Sequence, residues 1–213
     1  MRTRIGGLAL AGAAALAGVA ALAMGPGSAS SATATTWTVR PGGAITATAG
    51  KATLKDTTTR LEMVCNSARM SGTLNGGVGL QGTGIGSLAT ATFHCPSPIV
   101  PPFRLTARGL PWHLNMVSYN TSASVGRGTI SHLELMLTGP SCSAVVNGTG
   151  GTTADGVVAV SYTNTTGKLT IHTAGGNLHW FHVNGCAGLV GDGHLATLSA
   201  AYAVSPHQEI TSP

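Results

Sequence analysis

The chain has 213 residues, enough for one domain or at most two, since a single all-β domain can exceed about 200 residues. It carries 11 Lys and Arg and 6 Asp and Glu, 8% charged against about a quarter in an ordinary soluble domain. With 31 glycines besides, this excludes a coiled coil, a helical bundle and a charged disordered tail, and leaves few acids and bases for catalysis.

The first 34 residues read as a secretory signal peptide. Arg2 and Arg4 form a basic start, residues 5–24 run without a charge, Gly25-Pro26-Gly27 breaks the apolar run, and Ala32-Thr33-Ala34 fits the small-x-small rule of cleavage before Thr35. The run is Ala and Gly rather than Leu and Ile, so it gains little from lipid and is read as cleaved rather than as an anchor. Arg2 and Arg4 are not adjacent, which gives no support to a twin-arginine route. No membrane span is expected after cleavage.

From residue 36 onward, short runs of Val, Ile, Thr, Leu and Tyr alternate with Gly, Pro, Asn and Ser clusters. Strands are predicted over 36–40, 44–49, 52–55, 61–65, 69–74, 88–94, 104–108, 112–119, 128–137, 144–147, 157–162, 169–173, 178–183 and 196–204. In 112–119, Trp112, Leu114 and Met116 fall on one face and His113, Asn115, Val117 and Tyr119 on the other. Leu133, Leu135 and Leu137 alternate with His132, Glu134 and Met136 in the same way. Period-two alternation favours antiparallel pairing with one wet face, and Thr keeps such a face wet without charge. The fold expected for 35–213 is a single disulfide-stapled all-β domain, an antiparallel sandwich or barrel of about 12–14 short strands. Residues 157–160 and 196–204, apolar on both faces, are expected to be central strands.

Cys65, Cys95, Cys142 and Cys186 are an even set in an exported chain and read as two structural disulfides. Nearest pairing, Cys65 with Cys95 and Cys142 with Cys186, staples each half of the chain separately. No C-x-x-C pair exists, which disfavours thioredoxin-like chemistry and zinc-ribbon spacing. Without the two signal arginines, nine basic residues scattered from Arg40 to Lys168 face six acids. They form no stripe, so no nucleic-acid partner is expected.

Several residue groups resemble chemical sites. Gly77-Val-Gly79-Leu-Gln-Gly82 matches G-x-G-x-x-G, but no helix is expected after it; it reads as a glycine-rich loop inside the first disulfide ring. No G-x-S-x-G elbow is present. Asp56 and Asp192 sit in turn-like contexts, where aspartate bonds nearby backbone. Asn120, Asn147 and Asn164 head formal glycosylation acceptors and read as turn residues tolerant of positive φ. If Gly175-Gly176 is a two-residue hairpin turn, His172 faces His179. A hairpin of 112–119 with 128–137 would gather His113, His132 and Glu134, a two-histidine, one-carboxylate set that a one-residue slip destroys. No cofactor, metal ligand or catalytic residue is assigned.

Pro41-Gly42-Gly43, Leu54-Lys-Asp-Thr-Thr-Thr59, Gly109-Leu-Pro-Trp112, Tyr162-Thr-Asn164, Gly185-Cys186 and Val204-Ser-Pro206 resemble a group of uncharacterised small Thr- and Gly-rich secreted proteins of actinomycetes. The likeness covers the chain after the signal. It implies export, disulfides and a high-GC Gram-positive source, and carries over no functional residue. The reading that follows is a secreted, non-catalytic binding or structural protein at or beyond the cell envelope. Tyr119, His113, His132 and His179 on Thr-rich faces suit a protein or an envelope polymer as partner. The alternatives are a secreted hydrolase, or a barrel that holds a small apolar ligand.

Overall fold

The computed structural model describes residues 35–96 and 103–213, so the expected signal peptide lies outside the described residues. These residues form sixteen strands and no helix: β1 (Thr36–Arg40), β2 (Gly43–Ala49), β3 (Ala52–Asp56), β4 (Glu62–Cys65), β5 (Ser67–Leu74), β6 (Gly77–Gln81), β7 (Gly86–His94), β8 (Arg104–Arg108), β9 (Trp112–Asn120), β10 (Val125–Thr138), β11 (Ser143–Asn147), β12 (Gly156–Thr163), β13 (Lys168–Ile171), β14 (His179–Asn184), β15 (Ala196–Ser205) and β16 (Glu209–Thr211).

All pairings between them are antiparallel, and the sheet closes. β2, β5 and β7 are neighbours; β7 meets β8 and β9, which lie end to end along β10; β10 meets β12, then β13, then β15, which returns to β2. Counting β8 and β9 as one bent position, this is an eight-stranded barrel whose neighbours in space follow chain order. Closure removes the strand edges that an open sheet would expose. The fourteen-residue β10 spans the wall, with its first half between β9 and β12 and its last half between β8 and β11. The strands expected to be central, β12 and β15, have neighbours on both sides. Trp112, Leu114, Met116, Leu133, Leu135 and Leu137 all point into the core, as their alternation predicts.

Two strands, β6 and β16, carry no hydrophobic period. Both join β1 in a separate three-stranded sheet, β16-β1-β6. The stretch read as a glycine-rich loop is therefore a strand, its position set by pairing of Trp37 with Leu80 and of Thr36 with Gln81 rather than by its own side chains. Connectivity puts this sheet at the end of the barrel where β5 finishes, β7 begins and β15 finishes. Trp37, Val39 and Ile210 are buried there, and the Trp37 ring meets Tyr119 edge-on with centroids 6.5 Å apart. A Cβ on Gly82 would overlap the Met116 carbonyl and the Trp37 ring, so the chain can pass over the indole only with glycine there.

Side chains fasten this sheet to the barrel. The Tyr162 hydroxyl donates to the Gln208 carbonyl (2.8 Å) and accepts from the Gln208 N–H (3.1 Å). The Asn164 amide accepts from the Ile210 N–H and donates to its carbonyl, both at 2.9 Å. Asn164 opens the turn between β12 and β13, as expected, and is a clamp as well; none of Asn120, Asn147 and Asn164 has the positive φ expected of them. Asn120 and Asn147 do shape turns, by accepting from Ala123 N and Gly150 N. At the other end lie both disulfides, Cys65–Cys95 and Cys142–Cys186.

Candidate functional site

The disulfide end of the barrel, where β7 and β10 finish and β8 begins, contains a cavity of about 370 Å³. One wall is Leu61, Met63 and Val64 of the β3–β4 hairpin. The other is Phe103, Leu137, Leu189 and Val190, with Cys95 and Cys142 contributing one cysteine from each disulfide. Its charged member, Glu62, is bonded by Lys55 Nζ at 2.8 Å, and that ammonium holds the carboxylate below its usual range.

Consecutive residues 62, 63 and 64 line the cavity, so β4 turns its edge toward it. The hydrogen-bond phase agrees. Asp56 N donates to Leu61 O at 3.0 Å, which makes Leu54–Met63 and Ala52–Cys65 the bonded pairs of the β3–β4 ladder. Glu62 and Val64 therefore direct their N–H and C=O groups away from β3. On that same side the Asn66 N–H bonds His94 O at 2.8 Å, and β4 has no strand partner but β3 among the described residues. The wall is apolar in its side chains and polar along one backbone edge.

The cavity walls are fastened together by a buried carboxylate. Asp56 is fully buried and accepts from Thr58 N (2.8 Å), Thr59 N (2.9 Å) and His194 Nδ1 (2.9 Å). Burial alone would raise its pKa, but the bonds from Thr59, His194 and Thr58 outweigh it and hold the carboxyl below the usual range. Thr57 donates to Leu195 O through both N–H and hydroxyl, and Thr59 Oγ1 donates to Leu189 O at 2.8 Å. The β3–β4 turn and the 186–195 loop are thus tied together, with Leu61 and Leu189 both on the cavity. Gly191 lies against the His194 ring; a Cβ there would stand 2.6 Å from Nε2, so only glycine lets the imidazole reach Asp56.

Asp56 does act as the turn residue that its context predicts, and its bond to His194, 138 residues away, has no local sequence signal. Asp192 accepts from Val183 N (3.0 Å). Asp155 accepts from Gly148 N and from the Thr149 N–H and hydroxyl, which together hold its carboxyl below the usual range against burial.

The histidines separate. His172 and His179 do not face each other: β13 pairs with β12 and β15, and β14 with β11, because residues 172–178 form a longer excursion than a two-residue turn. His172 Nε2 meets Ser161 Oγ (2.8 Å), while His179 Nδ1 meets Asn177 O (2.9 Å). The hairpin of β9 and β10 does bring His113 and His132 together, ring centroids 4.5 Å apart. Glu134 stands two residues on, opposite Arg108 of β8. Among the described residues, no three of His, Cys, Asp and Glu converge as metal ligands.

The cavity residues had only faint signals in the sequence. Residues 61–65 read as a strand without clean alternation, and Leu189-Val190 is an apolar pair in a glycine-rich loop. Compared with protein-family models, curated proteins and solved structures, the chain matches none. Its two disulfides suit an oxidising environment. No helix among the described residues is long and apolar enough to cross a membrane.

Proposed function

We propose that the protein is exported and acts as a non-catalytic binding protein, and that its ligand is a small, mostly apolar molecule held in the cavity at the disulfide end. One observation carries this reading: a space of about 370 Å³ with apolar side chains on both walls and, beside it, the backbone edge of Glu62 and Val64, which has no strand partner among the described residues. Ligand pockets run from about 300 to 1,000 Å³, with apolar linings and a few polar groups that fix orientation. The Glu62 and Val64 N–H groups would orient a carbonyl, hydroxyl or carboxyl on an otherwise apolar ligand.

The Asp56–His194 pair favours this reading over a secreted hydrolase. Its carboxylate fastens the cavity wall, and among the described residues the His194 ring has no serine, threonine or cysteine hydrogen-bonded to it. The exported chain is expected to begin near Thr35 and to hydrolyse no common ester, peptide or glycan. Mass spectrometry of the secreted protein tests the first point. A turnover abolished by His194→Ala would replace binding with hydrolysis.

Binding itself is tested with N-phenylnaphthylamine, an uncharged dye that fluoresces in apolar sites. The wild-type protein should bind one equivalent. Leu61→Trp, which fills the cavity, should remove that signal while stability stays within about 0.5 kcal/mol. Equal dye binding by the two proteins, or none by the wild type, would overturn the proposal.

A further inference from the structure

On the outer face of the barrel, apart from the cavity, β9 and β10 present His113 and His132 side by side. The register puts His113 opposite Ser131. In an unbroken strand, residue 132 would then point into the core. Between Ile130 and Leu133, both fully buried, β10 holds one residue more than β12 opposite: Ile130 pairs with Val158 and Leu133 with Gly156. This bulge turns Ser131 and His132 outward together. His132 takes the left-handed conformation, φ +62°, where glycine is the residue free of strain. A glycine would make the same bend; histidine there adds an imidazole next to a second one.

The spacing of the rings is that of two ligands on one metal. With a metal–nitrogen bond of about 2.05 Å and about 1.15 Å from nitrogen to ring centre, two imidazoles bound cis at a right angle have centres about 4.5 Å apart. The observed separation is 4.5 Å, with the planes tilted by 46°. Ser131 Oγ lies 3.3 Å from His132 Nδ1, which leaves Nε2 as the other ring nitrogen available to a ligand. Among the described residues, no hydrogen bond occupies that nitrogen or the His113 ring. Ser87 pairs with His113, Asn115 Nδ2 donates to Ser131 Oγ (3.0 Å), and two residues along β10 Glu134 stands opposite Arg108 of β8.

We infer that His113 and His132 form a two-imidazole site for a divalent transition-metal ion, copper(II) in preference to nickel(II) and zinc(II), with water completing the coordination. A right angle between ligands suits the tetragonal geometry of copper(II) better than tetrahedral zinc(II), and copper(II) also stands highest in intrinsic affinity for nitrogen donors. With two protein ligands the ion is exchangeable, and binding on the order of micromolar is expected.

Titration of the exported, disulfide-intact protein with copper(II), followed by calorimetry and electron paramagnetic resonance, tests this. The first equivalent should show the superhyperfine pattern of two equivalent nitrogens, with nickel(II) and zinc(II) binding more weakly. His132→Gly removes one ligand while relieving the positive φ, so the fold is kept. His113→Gln removes the other. Each should weaken the first equivalent by at least about tenfold and leave a single-nitrogen pattern. An unchanged first equivalent in His132→Gly would place the copper at another histidine and overturn the assignment, as would a first equivalent without the two-nitrogen signature.

Discussion

The two ends of the barrel solve the same problem differently. At one end the β16-β1-β6 sheet lays Trp37, Val39 and Ile210 over the opening, and the buried polar groups of that lid are matched: Tyr162 with Gln208, Asn164 with Ile210, Ser212 Oγ with Thr36 O at 2.8 Å. At the other, two disulfides and the Asp56–His194 contact hold the walls while the space between them stays open. A close-packed interior tolerates few voids larger than water. The contrast shows where each end draws its order: packing closes the lid, whereas cross-links and a hydrogen-bonded buried carboxylate hold the walls of a cavity.

That contrast can be broken most severely at the lid. Trp37→Ala should destabilise the disulfide-intact protein by about 3–5 kcal/mol in urea unfolding, because its 1% exposed indole is replaced by a void. A loss of less than about 1 kcal/mol would mean that the lid is ornamental. At the open end, replacing Cys142 and Cys186 by serine should cost about 2–4 kcal/mol, below the chain-entropy ceiling of about 4 kcal/mol for a separation of 44 residues. Dye binding should fall with it. Retained dye binding would show that the cavity does not depend on that cross-link.

The smallest effect is expected at Asp56. Asp56→Asn keeps an oxygen for the Thr58 and Thr59 N–H groups but weakens the bond to His194, at a cost of about 1–3 kcal/mol near neutral pH. The folded-state pKa of Asp56 lies below the ordinary aspartate value of 3.8, so its contribution is complete above that value and is lost as pH falls through the lower one. The stability difference between wild type and variant should therefore shrink on acidification below about pH 4. A difference that grew with acid would reverse the assigned sign.

Much of this was legible in residues 36–204. The alternation of Trp112, Leu114 and Met116, and of Leu133, Leu135 and Leu137, names the buried face because in a strand side-chain direction is a local, period-two property. β6 and β16 escaped because Gly77-Val-Gly-Leu-Gln81 and Glu209-Ile-Thr211 become strands through backbone pairing with β1, which leaves no mark on their composition. A tight turn at Gly175-Gly176 would set His172 opposite His179, but the chain makes a longer excursion from residue 172 to 178, which breaks that register.

The sequence by itself determined the all-β, antiparallel character and the faces of the main strands, since these depend on residues within a few positions of one another. Only the tertiary structure decided that the sheet closes into a barrel rather than packing as a sandwich, that the Leu61 and Leu189 walls face each other across a cavity, and that a bulge at His132 turns one more histidine outward. Each of these rests on strand register or on contacts between residues far apart in the chain. Register is fixed by the sum of many pairings, and a slip of one residue reverses every face.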